Sequence, residues 1–119
     1  MDTFEWLPDR RSFPRVDLLA ELQGHLITLD ERVQVKQLSL GGLIVETTAP
    51  LSPRHEHDLR IVIGPKTIIV RGRVIHTRAA LSGDAVIYIS GLQLVDPPAD
   101  ALATIGEYVD GLTPGSHEA

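Results

Sequence analysis

A chain of 119 residues with 43% hydrophobic residues can build one globular core and is too short for two ordinary domains. It has no cysteine, which excludes disulfide scaffolds, cysteine metal sites and cysteine nucleophiles, and fits a reducing cytoplasm. The net charge of −5 disfavours long DNA or RNA, whose binding draws on a broad basic face that releases counterions.

No apolar run approaches the ~18 residues of a membrane helix. The start Met1-Asp2-Thr3-Phe4-Glu5-Trp6 lacks the basic and apolar regions of a signal peptide. The expectation is a cytoplasmic protein in solution, with no membrane insertion. Residues 1–8 read as an N-terminal tail, 9–112 as the domain and 113–119 as a C-terminal tail bearing Pro114-Gly115-Ser116.

In chain order, Val16 to Leu26 reads as a first strand, with Gly24 as a bulge. After a turn at Asp30-Glu31, Val33 to Leu40 is a second strand. Period-two alternation puts Val33, Val35, Gln37 and Ser39 on one face and Gln34, Lys36, Leu38 and Leu40 on the other. Gly41-Gly42 interrupts the run before a third strand, Leu43 to Thr47. Pro50 and Pro53 make 49–53 a loop. Leu59 to Ile63 is a fourth strand, Gly64-Pro65-Lys66 a turn, and Thr67 to Arg78 a long fifth strand. In it Ile68, Val70 and Val74 share one face, Arg71 and Arg73 the other. Ala79 to Asp84 is a connection, and Ala85 to Val95 a sixth strand broken by Gly91. Asp96 and Pro97 then suit a helix start. Leu102, Ile105 and Val109 lay an apolar stripe along that helix, which Gly111 and Pro114 stop. Six short strands with short connections close most easily into an antiparallel β-barrel, followed by one C-terminal α-helix.

Catalytic signals are poor. No Gly-x-Ser-x-Gly elbow is present, and no nucleophile or acid/base pair stands out, so an enzyme is not expected. Gly64-Pro65-Lys66-Thr67 resembles the end of a phosphate loop only superficially, and a hairpin turn is the plainer reading. His55-x-His57 with Glu56 and Asp58 lacks a third or fourth ligand in register, which favours a solvated polar loop over a metal site. His25, His76 and His117 are assigned surface or strand roles.

Two stretches carry more. Arg10, Arg11 and Arg15 cluster just before the first strand in an otherwise acidic chain. Guanidinium forks there suit bidentate phosphate binding and stacking on purines, or form a solvated charge group. Gln37 and Ser39, two apart on a strand, offer a polar row to a purine edge, and Gly42 lets a ligand approach the backbone. The alternative is a strand end followed by a Gly-Gly turn.

Together, in this order, they resemble the PilZ domain family. Its signature is Arg-x-x-x-Arg before the first strand and Asp/Asn-x-Ser-x-x-Gly at the second. Here these read Arg11-Ser12-Phe13-Pro14-Arg15, preceded by Arg10, and Gln37-Leu38-Ser39-Leu40-Gly41-Gly42. Leu43-Ile44-Val45-Glu46-Thr47, Arg71-Gly72-Arg73-Val74-Ile75 and Ser90-Gly91-Leu92-Gln93-Leu94 are similar to later strands of that family. The resemblance implies a six-stranded barrel acting as a receptor for cyclic di-GMP, the bacterial second messenger, with no other cofactor. It implies that Arg11 and Arg15 grip phosphate and guanine with help from Arg10. It further implies that Ser39 contacts guanine and Gly42 allows close approach. Gln37 departs from the family's Asp or Asn: it keeps an amide, adds a methylene and lacks the carboxylate that accepts two bonds from a guanine edge. The expected role is a single-domain receptor whose arginine arm orders over the nucleotide and relays its level to a protein partner. The alternative is a degenerate PilZ-like adaptor that binds a protein and no nucleotide.

Overall fold

The computed structural model describes residues 16–112, with side chains over 22–111. Strands β1 (Val16–Leu26), β2 (Glu31–Leu38), β3 (Gly42–Thr47), β4 (Glu56–Ile63), β5 (Lys66–Ser82) and β6 (Ala85–Leu94) precede one helix, α1 (Ala99–Leu112), and a short 3-10 turn, Ile27–Leu29, joins β1 to β2. The strands form a closed barrel in the order β1-β2-β3-β6-β5-β4. Each neighbouring pair is antiparallel, and β1–β4 pairing at Gly24↔Ile61 closes the cylinder. Closure removes most of the exposed edge that an open sheet of this size would present.

The alternation seen in the sequence drives this arrangement. On β5, Ile68, Val70 and Val74 turn inward while Ile69, Arg71 and Arg73 face out. On β4, Leu59, Ile61 and Ile63 turn inward. Each fully buried Val, Leu or Ile contributes about 1.5–3 kcal/mol relative to an exposed one. Gly24 sits in regular pairing with Val33 and Ile61, and a Cβ there would lie 2.9 Å from Val33 Cγ2. The irregularity in β1 falls instead between Asp17 and Leu22.

The second strand corrects the expected faces. Pairing steps from Val35↔Val45 to Gln37↔Ile44, which marks a bulge at Lys36. The additional residue reverses the alternation, so Leu38 joins Val33 and Val35 in the core. Burial of a leucine in place of a glutamine is what the shift achieves. A similar step between Val74 and His76 makes β5 bulge opposite Gly91.

Other boundaries moved. β4 begins at Glu56, and β5 runs on through 79–82, where a connection was expected. That connection shrinks to Gly83-Asp84, with Gly83 at φ +63°; the β4–β5 turn uses Gly64 at φ +60° before Pro65. Both match hairpin turns with glycine first. The helix starts at Ala99, because Asp96 adopts a left-handed φ of 45° and belongs to the linker. Its buried stripe is Ala101, Ile105 and Val109, with Leu102 half-buried on the flank. Gly111 lies within the helix.

The helix stripe joins the barrel core at the end where Leu40 and Ile63 lie, and Lys66 Nζ approaches Glu107 at 3.6 Å. At the opposite end, the 48–55 loop is tied down. Thr48 donates to Glu31 Oε2 from both N–H and Oγ1, and Thr77 Oγ1 donates to Leu51 O at 2.9 Å. No helix among the described residues is long and apolar enough to cross a membrane.

Candidate functional site

The β1–β2 register fixes the geometry of the helix-covered rim. Val16 pairs with Leu38 and Asp17 with Gln37. The first described residue therefore stands beside the end of β2, where the Gly-Gly turn begins.

That turn is built by Ser39. Its backbone N–H donates to Gly42 O at 2.9 Å. Its Oγ donates to Gly42 O and accepts from the N–H groups of Gly41 and Gly42, each at 3.2 Å. A hydroxyl has one proton and two lone pairs, so Ser39 spends its full capacity within the turn. It is 4% exposed. Gly41 O accepts from Leu94 N at 3.1 Å, and Gly42 pairs with Gln93, which locks the turn to β6.

Gln37 is half-buried on the bulge beside Ile44. The structure thus brings Gln37, Ser39 and Gly42 together on one rim. Gln37 and Ser39 do not form the single row that strict alternation predicts, because β2 ends at Leu38 and Ser39 folds into the turn with Gly41 and Gly42. Arg10, Arg11 and Arg15 lie outside the described residues.

Lys36, on the bulge, ion-pairs with Glu46 Oε1 at 3.2 Å. The sequence reading passed over this pair; its signal was a Lys and a Glu on adjacent strands. Arg71 and Arg73 are committed to acids across the β4–β5 ladder. Arg71 Nε donates to Asp58 Oδ1 at 3.1 Å and Arg73 Nη2 to Glu56 Oε2 at 2.8 Å. The hydrogen bond to Asp58, then its charge, holds the Arg71 guanidinium above its ordinary pKa.

His57 is a correction. It lies in β4 on the inward face with Leu59 and Ile61, and is 6% exposed, rather than sitting in a solvated loop. Neither ring nitrogen has a hydrogen-bond partner among the described residues. Burial pushes its pKa below the usual histidine value; nearby His55 adds to the shift and Asp58 opposes it. The His55 and His57 ring centroids are 6.5 Å apart. Among the described residues no group of three or more His, Cys, Asp or Glu is arranged to hold a metal ion. His25 lies in β1 with Nε2 2.8 Å from Asp30 Oδ1, and His76 lies exposed in β5.

The fold has solved counterparts. The PilZ domain of YcgR from Escherichia coli, described with c-di-GMP, aligns with a TM-score of 0.68 at 13% identity, covering 92% of this chain and 96% of that one. The Bacillus subtilis inhibitor of motility MotI/DgrA aligns with a TM-score of 0.68 at 20% identity, covering 85% of this chain and 49% of that one. MrkH of K. pneumonia in its apo state gives 0.70 at 17% identity, covering 83% and 49%. This chain therefore spans about half the length of MotI/DgrA and MrkH. No curated protein matches it. The family model described as the PilZ domain matches residues 9–111. With that match over most of its length, on a closed six-stranded barrel with one C-terminal helix, the chain belongs to the PilZ domain family.

Proposed function

We propose that this PilZ domain is a cyclic di-GMP receptor, a binding module rather than an enzyme. The observation that carries the reading is the pairing of Val16 with Leu38. Arg15 is covalently joined to Val16, so the arginine-bearing leader departs from the rim that holds Gln37, Ser39 and Gly42. The ligand brings two phosphates and two guanines. Arg11 and Arg15, assisted by Arg10, meet the phosphates with bidentate, charge-assisted bonds and stack on guanine. Gly42 offers backbone without a side chain in the way. Ser39 shapes the turn, and its contact with guanine exchanges one of the hydroxyl's bonds within that turn. The leader closes over the nucleotide, and a protein partner reads the altered surface.

The family membership and the c-di-GMP-bound YcgR domain of the same fold support this reading. Gln37, in place of the family's Asp or Asn, favours a second reading: an adaptor that binds a protein and no nucleotide. Isothermal calorimetry separates the two. The receptor reading expects cyclic di-GMP binding at micromolar affinity or tighter, lost in Arg11→Ala and Arg15→Ala. Absence of heat at high nucleotide concentration, together with a partner recovered by pull-down, supports the adaptor instead.

A further inference from the structure

The closing seam of the barrel assembles a row of side chains on its outer wall. His25 of β1 pairs with Arg32 of β2 on one side and with Arg60 of β4 on the other. Arg60 pairs in turn with Ile69 of β5. Their chain neighbours Leu26, Val33, Leu59, Ile61 and Val70 are buried in the core, so alternation turns these four side chains outward. Neighbouring strands lie about 4.8 Å apart, which sets the stems of Arg60 and Arg32 about 10 Å from each other with His25 between them. Val62 follows Arg60 on the same face of β4. Val62 is 44% exposed and Ile69 53%. Gln23, Gly24, His25, Arg32, Arg60 and Val62 line a shallow cleft of about 320 Å³.

The charge of this row is uncompensated, in a chain of net charge −5. Lys36, Lys66, Arg71 and Arg73 each lie within ion-pair distance of a carboxylate. Among the described residues, no carboxylate pairs with Arg32 or Arg60. The acids nearest in sequence are engaged elsewhere. Asp30 Oδ1 meets His25 Nε2 at 2.8 Å, and Glu31 Oε2 accepts from Thr48.

We propose that this face docks an acidic segment of a protein partner, an extended stretch in the order apolar-x-acid-x-acid. Side chains two apart in an extended chain point to one side and lie about 6.6 Å from each other. Laid across the strands, the apolar residue covers Ile69 and Val62, and the two carboxylates meet Arg60 and Arg32 in bidentate, charge-assisted bonds. The long arginine stems take up the difference in spacing. Charge complementarity selects carboxylates. The apolar neighbours and the open cleft select a peptide over a small anion, since small-molecule sites enclose most of their ligand. Two guanidiniums are too few to hold a nucleic-acid polymer. The inference rests on the relay to a protein partner that the receptor and adaptor readings share. It places that contact on the barrel wall, apart from the rim of Gln37, Ser39 and Gly42.

The test is amide NMR of the labelled, nucleotide-free full chain, titrated with the end-blocked peptide Gly-Leu-Ser-Glu-Ser-Glu-Gly. Saturable shifts are expected at 23–25, 32, 60–62 and 69, with a Kd of about 1 mM or tighter. Gln in place of both peptide Glu residues weakens binding about fivefold or more, and so does Arg32→Glu or Arg60→Glu in the protein. Both arginines are solvent-exposed, so the variants keep the barrel, which far-UV circular dichroism checks. Absence of saturable shifts, equal binding of the Gln peptide, or binding indifferent to both arginine variants overturns the proposal. Shifts at the same residues that grow with protein concentration alone give the face to a second copy and overturn it too. A chain that shows the peptide shifts but binds no cyclic di-GMP loses the receptor reading and keeps the docking face, so the two failures are distinct.

Discussion

Val16 lies opposite Leu38 in the β1–β2 ladder, and Ser39 follows Leu38 directly. The start of the barrel and the β2–β3 turn are therefore one rim. Val16 and Leu38, more than twenty residues apart in sequence, are brought to a single place by one antiparallel pairing.

The Ser39 hydroxyl satisfies one buried and one part-buried turn amide and one carbonyl. Ser39→Ala leaves those amides without their acceptor, which costs about 1–3 kcal/mol. Urea unfolding is expected to show a lowered midpoint with an unchanged slope. An unaltered midpoint would mean that water replaces the hydroxyl without loss.

Gln37 stands where the family has a carboxylate or shorter amide. Gln37→Asp gives the rim an acceptor for a guanine edge. Cyclic di-GMP affinity is expected to rise by one to two decades, corresponding to about 1–3 kcal/mol. Calorimetry on the two proteins side by side measures the change; equal affinities would remove Gln37 from the contact.

His57 is buried, with a pKa lowered chiefly by that burial. The unfolded chain takes up a proton near pH 6.5 and the folded one only at lower pH. The unfolded state therefore binds more protons between the two values, and stability falls as pH drops through that window. His57→Phe keeps an aromatic ring and removes the titration. The slope of stability against pH below 6.5 is expected to flatten, with stability at pH 8 unchanged or raised. Denaturant melts across pH 5 to 8 check this.

Ile105 is the centre of the helix stripe and fully buried. Ile105→Ala is expected to destabilise the domain by about 2–5 kcal/mol, through lost burial and the cavity left behind. Thermal unfolding followed at 222 nm measures it. A loss below about 1 kcal/mol would mean that the helix closes over the gap.

Much of the architecture was legible because period-two alternation is strong on β4 and β5, and because glycine or proline marks most turns. Leu59, Ile61, Ile68, Val70 and Val74 all face inward, as their spacing predicts. The bulge at Lys36 was not legible. Nothing in Val35-Lys36-Gln37-Leu38 signals an extra residue; the demand to bury Leu38 decides it in three dimensions. The start of α1 was misread for a related reason. Asp96 and Pro97 satisfy the local rules for a cap, yet the chain must first turn off β6, and Asp96 takes the left-handed conformation to do so. His57 was misread because two histidines among acids suggest solvent, while the same parity that buries Leu59 buries the imidazole. On the site, the motif named Ser39, but its bonds within the turn depend on the folded path of Gly41 and Gly42.

The most direct test of the central claim is a titration of isotope-labelled protein with cyclic di-GMP, followed by amide NMR. The account predicts saturable shifts concentrated at 10–17 and 37–42, with the 48–55 loop little changed. Saturable binding that shifts the 48–55 loop and the Ile27–Leu29 turn, at the opposite end of the barrel, while leaving 37–42 unmoved would contradict it.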